Sequence, residues 1–167
     1  NRSRFYRGQI DKYTWVDVGS SYLPSDLLAA YLCAQLEARE LVQARRRAIW
    51  DGYDAALAAW AAANGVGRPQ IPAHCGHPAH IYYLLLPSLE ARTRLLADLR
   101  RALILATFHY QPLHSSPAGR RLADRTAHCP VTDRVADQLL RLPFHNRLAP
   151  AQADRVLDSL TRALEEV

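Results

Sequence analysis

The sequence predicts an α/β fold, and three stretches between residues 80 and 110 carry that prediction. Residues 80–86 (HIYYLLL) are apolar and aromatic and stop at Pro87, which is typical of a buried strand. Residues 89–103 repeat leucines at helical spacing, and residues 104–110 form a second strand-like run. Because a strand, a helix and a strand follow one another, we expect a small α/β layer.

Two helices are expected before this layer. Ser25 offers an N-cap oxygen, and Asp26 places an acid in the first turn. The helical pattern then continues to Gly65, which is too long for one ordinary helix, so we expect a break or bend near residues 36–40. The apolar face of the second part is formed by Leu41, Ile49, Tyr53, Leu57 and Trp60.

The remaining elements follow from prolines, glycines and leucine spacing. Residues 111–131 read as a long loop, residues 133–142 as a short helix and residues 143–149 as a turn or short strand. Pro150 then begins a terminal helix. Its predicted inner face consists of Ala153, Val156, Leu157, Leu160 and Leu164.

Composition narrows the class of protein. Of 167 residues, 49% are apolar and 22% are charged, which is ordinary for a globular chain. The net charge of +5 comes from arginines spread among acids, so we expect an anionic small molecule or a complementary subunit as partner rather than nucleic acid. The apolar runs are too short for a bilayer, so no membrane partner is expected. Three cysteines at unrelated spacings favour a reducing cytoplasm.

Residues 108–114 (FHYQPLH) form the most specific candidate site. They lie where a strand is predicted to run into the long loop, a common place for binding groups. His109, Tyr110 and His114 can donate to or accept from a polyhydroxylated ligand. Alternatively, Phe108 and Tyr110 pack and the histidines cap the loop. The local sequence leaves both interpretations open.

Residues 19–26 (GSSYLPSD) place hydroxyl groups just ahead of a helix N-terminus, an arrangement suited to a phosphate. Plain helix capping is the alternative, and the local sequence favours it. Arg2, Arg4 and Arg7 can clamp a diphosphate or belong to a solvated arm.

Residues 74–80 (HCGHPAH) contain metal-binding side chain types. A connecting loop is the better supported interpretation, because prolines and glycine dominate the stretch and no second ligand pair lies at a usual spacing.

Several runs, in order, resemble the pyridoxal-phosphate-dependent sugar aminotransferases. They are the N-terminal run through GSSYLPSD, then AHIYYLLL, FHYQPLH followed by SSPAG, and LLRLPFHNRLAPAQADRV. The resemblance covers essentially the whole chain. Within the family it is most similar to the dTDP-4-amino-4,6-dideoxygalactose transaminases.

The resemblance implies the aspartate-aminotransferase-like fold type I. Residues 37–167 would be its C-terminal small α/β domain, and residues 1–36 an interface arm and helix that contact the cofactor domain and the partner subunit of a homodimer. The implied cofactor is pyridoxal 5'-phosphate. The implied reaction moves an amino group from glutamate to C4 of a dTDP-4-keto-6-deoxyhexose, in a pathway that makes an amino sugar.

The resemblance also implies roles for individual residues. The contacts to the cofactor phosphate, in the partner subunit, would come from Ser20, Ser21 and Tyr22. The loop that closes over the sugar would contribute His109, Tyr110 and His114. The nucleotide pyrophosphate would meet Arg4 and Arg7.

No catalytic residue is expected in this chain. It starts at Asn1, contains no methionine, and has one lysine, Lys12, which lies in the arm rather than at the place of the Schiff-base lysine. We therefore expect the C-terminal part of a longer enzyme, inactive on its own. The alternatives are a stand-alone binding or dimerisation remnant, or part of a pyridoxal-phosphate-dependent sugar dehydratase, in which histidine replaces the lysine.

Overall fold

The computed structural model describes Arg7, Gln9, residues 22–122 and residues 128–165. The chain separates into two compact units, Asn1–Glu37 and Ala38–Val167, and each is described by itself. Three of the predicted site residues, Arg4, Ser20 and Ser21, lie outside the described residues. The roles predicted for residues 1–36 and 37–167 stay predictions.

In the first unit, helix α1 spans Asp26–Glu37. Leu28 N donates to Ser25 Oγ at 3.3 Å, so the predicted helix start is confirmed. None of the α1 residues is buried, although the helix is rich in leucine. Neither α1 nor another helix in the described residues is long and apolar enough to cross a membrane.

The second unit holds the other described elements. A single residue, Ala38, separates the end of α1 from the start of α2, which confirms the predicted break near residues 36–40. Gly65, just beyond the end of α2, has a φ of 63°, a conformation that glycine adopts without strain. In chain order the elements are α2 (Arg39–Ala63), β1 (Tyr83–Leu85), α3 (Leu89–Arg101), β2 (Thr107–Phe108), α4 (Pro117–Leu122), α5 (Pro130–Gln138), β3 (Leu139–Arg141) and α6 (Pro150–Glu165).

The three strands form one antiparallel sheet in the order β1-β3-β2. Leu140 of β3 pairs with Leu84 of β1 on one side and with Phe108 of β2 on the other. The predicted layer of strands and helices is therefore present, but the two predicted strands meet through a third. Both are also shorter than the predicted residues 80–86 and 104–110.

The prediction of one helix over residues 133–142 is wrong in its second half. Helix α5 ends at Gln138, and Leu139 turns to an extended conformation with ψ of 127°. Leu140 then becomes fully buried at the centre of the sheet. The strand sequence Leu-Leu-Arg has no β-branched residue, so its conformation is specified by pairing with β1 and β2 rather than by local preference.

A single core lies between the sheet and helices α2, α3 and α6. Leu41, which was predicted to lie on the apolar face of α2, is 55% exposed because it lies within one turn of the helix start, before the helix reaches the core. The other predictions of buried side chains are largely confirmed. Fully or almost fully buried are Tyr53, Leu57, Leu95, Leu99, Val156 and Leu160.

Two tyrosines place their hydroxyl groups at the edge of this core. The hydroxyl of Tyr53 donates to the carbonyl oxygen of Pro143 at 3.0 Å. The hydroxyl of Tyr82 donates to Asp54 Oδ1 at 3.0 Å, and Arg68 Nη1 pairs with the same oxygen at 2.5 Å. Burial raises the pKa of Tyr53 to about 12 and also raises the pKa of Tyr82. Both phenols are therefore neutral hydrogen-bond donors at neutral pH.

Candidate functional site

The predicted sugar-binding segment leaves the sheet directly after β2. His109 is half-buried, and its Nδ1 is shielded from water without a hydrogen-bond partner in the described part of the chain. Its ring meets the ring of Tyr110 edge-on, with 5.1 Å between the centroids. Tyr110 itself is 78% exposed. The segment thus holds a shielded, unpartnered imidazole nitrogen beside an accessible phenol.

His114 has a different environment. Its Nε2 lies 3.1 Å from Asp133 Oδ1, on helix α5, and 3.3 Å from Oδ2 of the same carboxylate. Only 15% of the His114 side chain is exposed. The contact ties the segment to α5, in line with the alternative in which a histidine holds the loop. The sugar contact implied for His114 stays a prediction.

The turn after His114 is closely packed. Ser116 Oγ donates to the carbonyl oxygen of Leu113 at 2.8 Å and accepts from Gly119 N at 3.0 Å. A Cβ on Gly119 would lie 1.8 Å from the Leu113 oxygen, so only glycine fits there. The predicted long loop therefore contains a hydrogen-bonded turn and the short helix α4.

A row of three polar side chains crosses the sheet next to this segment. Arg141 of β3 pairs in register with Tyr83 of β1 and with Thr107 of β2, so the three side chains share one face. All three are half-buried. Arg141 Nη2 donates to Thr107 Oγ1 at 3.2 Å. We call these residues the polar row. Sequence reasoning missed the row because residues 133–142 were predicted as a helix.

Phe108 lies on the opposite face of β2 from Thr107. The guanidinium carbon of Arg92, on α3, lies 5.5 Å from the centroid of the Phe108 ring. Arg92 Nη1 also approaches the carbonyl oxygen of Ala136 at 3.5 Å. Phe108 contacts Arg92 but is 51% exposed, so the alternative interpretation, in which this residue packs, is met only in part.

Only the end of the GSSYLPSD stretch is described. Ser25 caps α1, so the capping interpretation holds for that residue. Tyr22 is 91% exposed. Hydroxyl groups ahead of a helix N-terminus have the chemistry that a phosphate needs, so these residues fit a phosphorylated cofactor. The contacts implied for Ser20, Ser21 and Tyr22 stay predictions.

The HCGHPAH stretch packs against helix α2. The rings of His77 and Trp50 meet edge-on at 4.6 Å, and His77 Nδ1 accepts from Ala79 N at 3.2 Å. Gln43 Nε2 donates to the carbonyl oxygen of Pro78 at 2.8 Å. Among the described residues no group of three or more His, Cys, Asp or Glu side chains is placed to hold a metal ion. These contacts support the connecting-loop interpretation.

Comparison with known proteins decides the family. The profile of the DegT/DnrJ/EryC1/StrS aminotransferase family matches residues 2–161. The chain belongs to this family. The resemblance recognised in the sequence is confirmed at the family level, and pyridoxal 5'-phosphate is the cofactor of the family.

Individual relatives agree with this assignment. The UDP-2-acetamido-2-deoxy-3-oxo-D-glucuronate aminotransferase of Pseudomonas aeruginosa is 30% identical over 155 residues, which is 92% of this chain and 40% of that protein. The structure of DesV from S. venezuelae, in complex with a ketimine intermediate, has a TM-score of 0.82 at 28% identity. The aligned region covers 98% of this chain and 43% of the DesV chain. A family member from Brucella abortus has a TM-score of 0.76 at 25% identity, with 98% of this chain and 42% of its own length matched.

The predicted fold type I of the pyridoxal-phosphate enzymes is confirmed by these structures. PseC of Helicobacter pylori, at 17% identity and a TM-score of 0.74, shares the fold. The chain spans about two fifths of the length of the relatives it matches. The activity of the whole protein is therefore taken up below as a proposal.

Proposed function

We propose that this chain is part of a transaminase that moves an amino group from glutamate to C4 of a dTDP-4-keto-6-deoxyhexose. The observation that supports this proposal is the pair of side chains after β2. Tyr110 is open to a ligand, and His109 Nδ1 has no partner in the described residues. A sugar offers several hydroxyl groups, and such a pair can donate to and accept from them.

Each residue of the segment has a defined task in this proposal. His109 and Tyr110 bind and orient the sugar, so that its keto carbon is held at the reacting position. His114, through Asp133, holds the segment against α5 and also lies at the edge of the sugar site. The Ser116–Gly119 turn keeps the segment from moving away.

The cofactor, when bound, supplies the electron sink for the amino transfer. Ser20, Ser21 and Tyr22 are the residues of this chain proposed to hold its phosphate, since they stand ahead of the positive end of α1. In the proposed homodimer they serve the site of the partner subunit. The lysine that binds the cofactor is proposed to lie outside this chain, and Lys12 is not assigned that task.

The nucleotide part of the substrate is proposed to meet Arg4 and Arg7. Arg7 is exposed, and a guanidinium binds phosphate oxygens through two parallel hydrogen bonds. Because Cys33, Cys75 and Cys129 are free thiols, which persist in a reducing compartment, we propose that the enzyme acts in the cytoplasm.

A second substrate class is favoured by one relative. The Pseudomonas aeruginosa protein is named for a UDP-linked 3-oxo uronate, which carries a carboxylate and has its keto group at C3. A uronate is therefore the alternative acceptor for this chain.

The proposal is tested by separating the two half-reactions in the whole protein. His109→Ala and Tyr110→Phe should each lower the rate of sugar amination about tenfold or more, because each removes a hydrogen bond to the sugar. The reaction with glutamate alone, followed through the absorbance of the cofactor, should stay within about twofold. Leu105→Ala is the control, since Leu105 is 79% exposed and outside the segment. Equal losses of rate in both half-reactions would show that the segment does not contact the sugar.

The coding region upstream of Asn1 distinguishes the alternatives. A cofactor domain with a lysine supports the transaminase. A histidine at that position points to a sugar dehydratase. A start codon directly before Asn1 would leave a binding or dimerisation remnant.

A further inference from the structure

We infer that Arg141 binds a carboxylate group of a substrate in this enzyme. The inference rests on the proposed function and names a further binding residue for it. It starts from the polar row, Tyr83, Arg141 and Thr107, rather than from the FHYQPLH segment.

Arg141 carries a charge that the described residues do not balance. Its side chain is half-buried, and its Nε is shielded from water without a hydrogen-bond partner in that part of the chain. Thr107 Oγ1 accepts from Nη2 at 3.2 Å, but no carboxylate among the described residues pairs with this guanidinium. Removing a guanidinium from water without a counter-charge is costly. A bound anion would supply that counter-charge.

The geometry of the row favours a carboxylate. A guanidinium is planar and presents several N–H groups in a fixed fork that matches the two oxygens of a carboxylate. The hydrogen bond from Arg141 Nη2 to Thr107 Oγ1 uses one of these N–H groups and so fixes the orientation of the guanidinium plane. Tyr83, the register neighbour of Arg141 on the other side, adds a phenol to the same face.

The row also lies next to the proposed sugar site. Thr107 belongs to the row and lies in β2, and His109 follows it by two residues, just after β2 ends. A substrate held by His109 and Tyr110 would therefore lie within a few residues along the chain of Thr107, which Arg141 contacts. Two substrates of the proposed reaction offer a carboxylate: the amino donor, and an acceptor of the uronate class.

The test uses the whole enzyme and the variants Arg141→Gln and Arg141→Lys. Arg92→Gln is the matched control, because Arg92 is also half-buried with an unpartnered Nε but lies against Phe108, outside the row. If the carboxylate belongs to the donor, Arg141→Gln should raise KM for glutamate about 10- to 100-fold and leave KM for the sugar unchanged. If it belongs to the acceptor, only KM for a uronate acceptor should rise. In either case Arg141→Lys should recover part of the loss.

A binding measurement separates this inference from the proposed function. Glutarate and UDP-glucuronate, neither of which is turned over, are titrated into the wild-type enzyme and each variant by calorimetry. Weaker binding of one of them in Arg141→Gln alone supports the carboxylate site, even if no amino transfer is found. Unchanged affinities and KM values in Arg141→Gln, or equal changes in Arg92→Gln, would overturn it. An equal fall in kcat with every substrate and a lower Tm would likewise assign Arg141 a purely structural part.

Discussion

Single residues set the response of this fold to alkaline pH. Tyr53 is 1% exposed, and burial raises its pKa to about 12, compared with about 10 in an unfolded chain. The folded state therefore favours the neutral phenol. Between about pH 10 and 12 the Tyr53 phenol loses its proton in the unfolded chain but keeps it in the folded state. The stability that the buried neutral phenol contributes is therefore complete below about pH 10 and is lost as the pH rises to 12.

The variant Tyr53→Phe tests this argument. Between pH 10 and 12 its free energy of unfolding should fall less steeply than that of the wild type, by up to about 1.4 kcal/mol per pH unit. At pH 7 it should lose about 1 kcal/mol with the hydrogen bond to Pro143. Urea unfolding at several pH values measures both. Tyr31→Phe, at a 68% exposed position, should keep the wild-type slope, and a Tyr53→Phe slope equal to the wild type would contradict the argument.

At the residue scale, the sequence could locate a candidate segment only where its residues are contiguous. The FHYQPLH segment is contiguous, so its position after a strand could be predicted from spacing. The open phenol of Tyr110 and the Asp133 contact of His114 could not, because they depend on elements distant in sequence. Arg141 escaped detection for the same reason, since its partner Thr107 lies 34 residues away.

At the level of elements, helices were predictable where caps and spacing agree. Ser25 marks the start of α1, and Pro150 marks the start of α6. Helix α3 begins after Ser88, whose Oγ accepts from Ala91 N at 3.1 Å. Strand β3 was not predictable, because Leu-Leu-Arg follows α5 without a turn residue and becomes extended only by pairing on both sides.

Strand β3 should consequently be the most sensitive element of the sheet. Leu140→Ala removes a fully buried side chain from its centre and should cost about 2–5 kcal/mol of unfolding free energy. Leu105→Ala, at an exposed position, should stay within about 0.5 kcal/mol. Thermal and denaturant unfolding of the two variants give the comparison. Similar small losses in both would mean that β3 is not the centre of the packed sheet.

At the level of the whole molecule, the two compact units differ in how their apolar residues are placed. The second unit buries its leucines in one core, whereas α1 leaves Leu27, Leu28 and Tyr31 exposed at 85%, 63% and 68%. The family match covers residues 2–161, and the matched relatives extend well beyond the length of this chain. The proposal that this chain is one part of a larger enzyme is consistent with these observations.

The central claim is that this chain forms the sugar side of a transaminase and does not catalyse alone. The most direct test incubates the whole protein and, in a separate sample, this chain with pyridoxal 5'-phosphate, glutamate and a dTDP-4-keto-6-deoxyhexose. Both products are then measured by mass spectrometry. We predict that the whole protein forms 2-oxoglutarate and the C4-amino sugar in equal amounts, and that this chain forms neither. Amino transfer by this chain alone, or formation of neither product by the whole protein, would contradict the account.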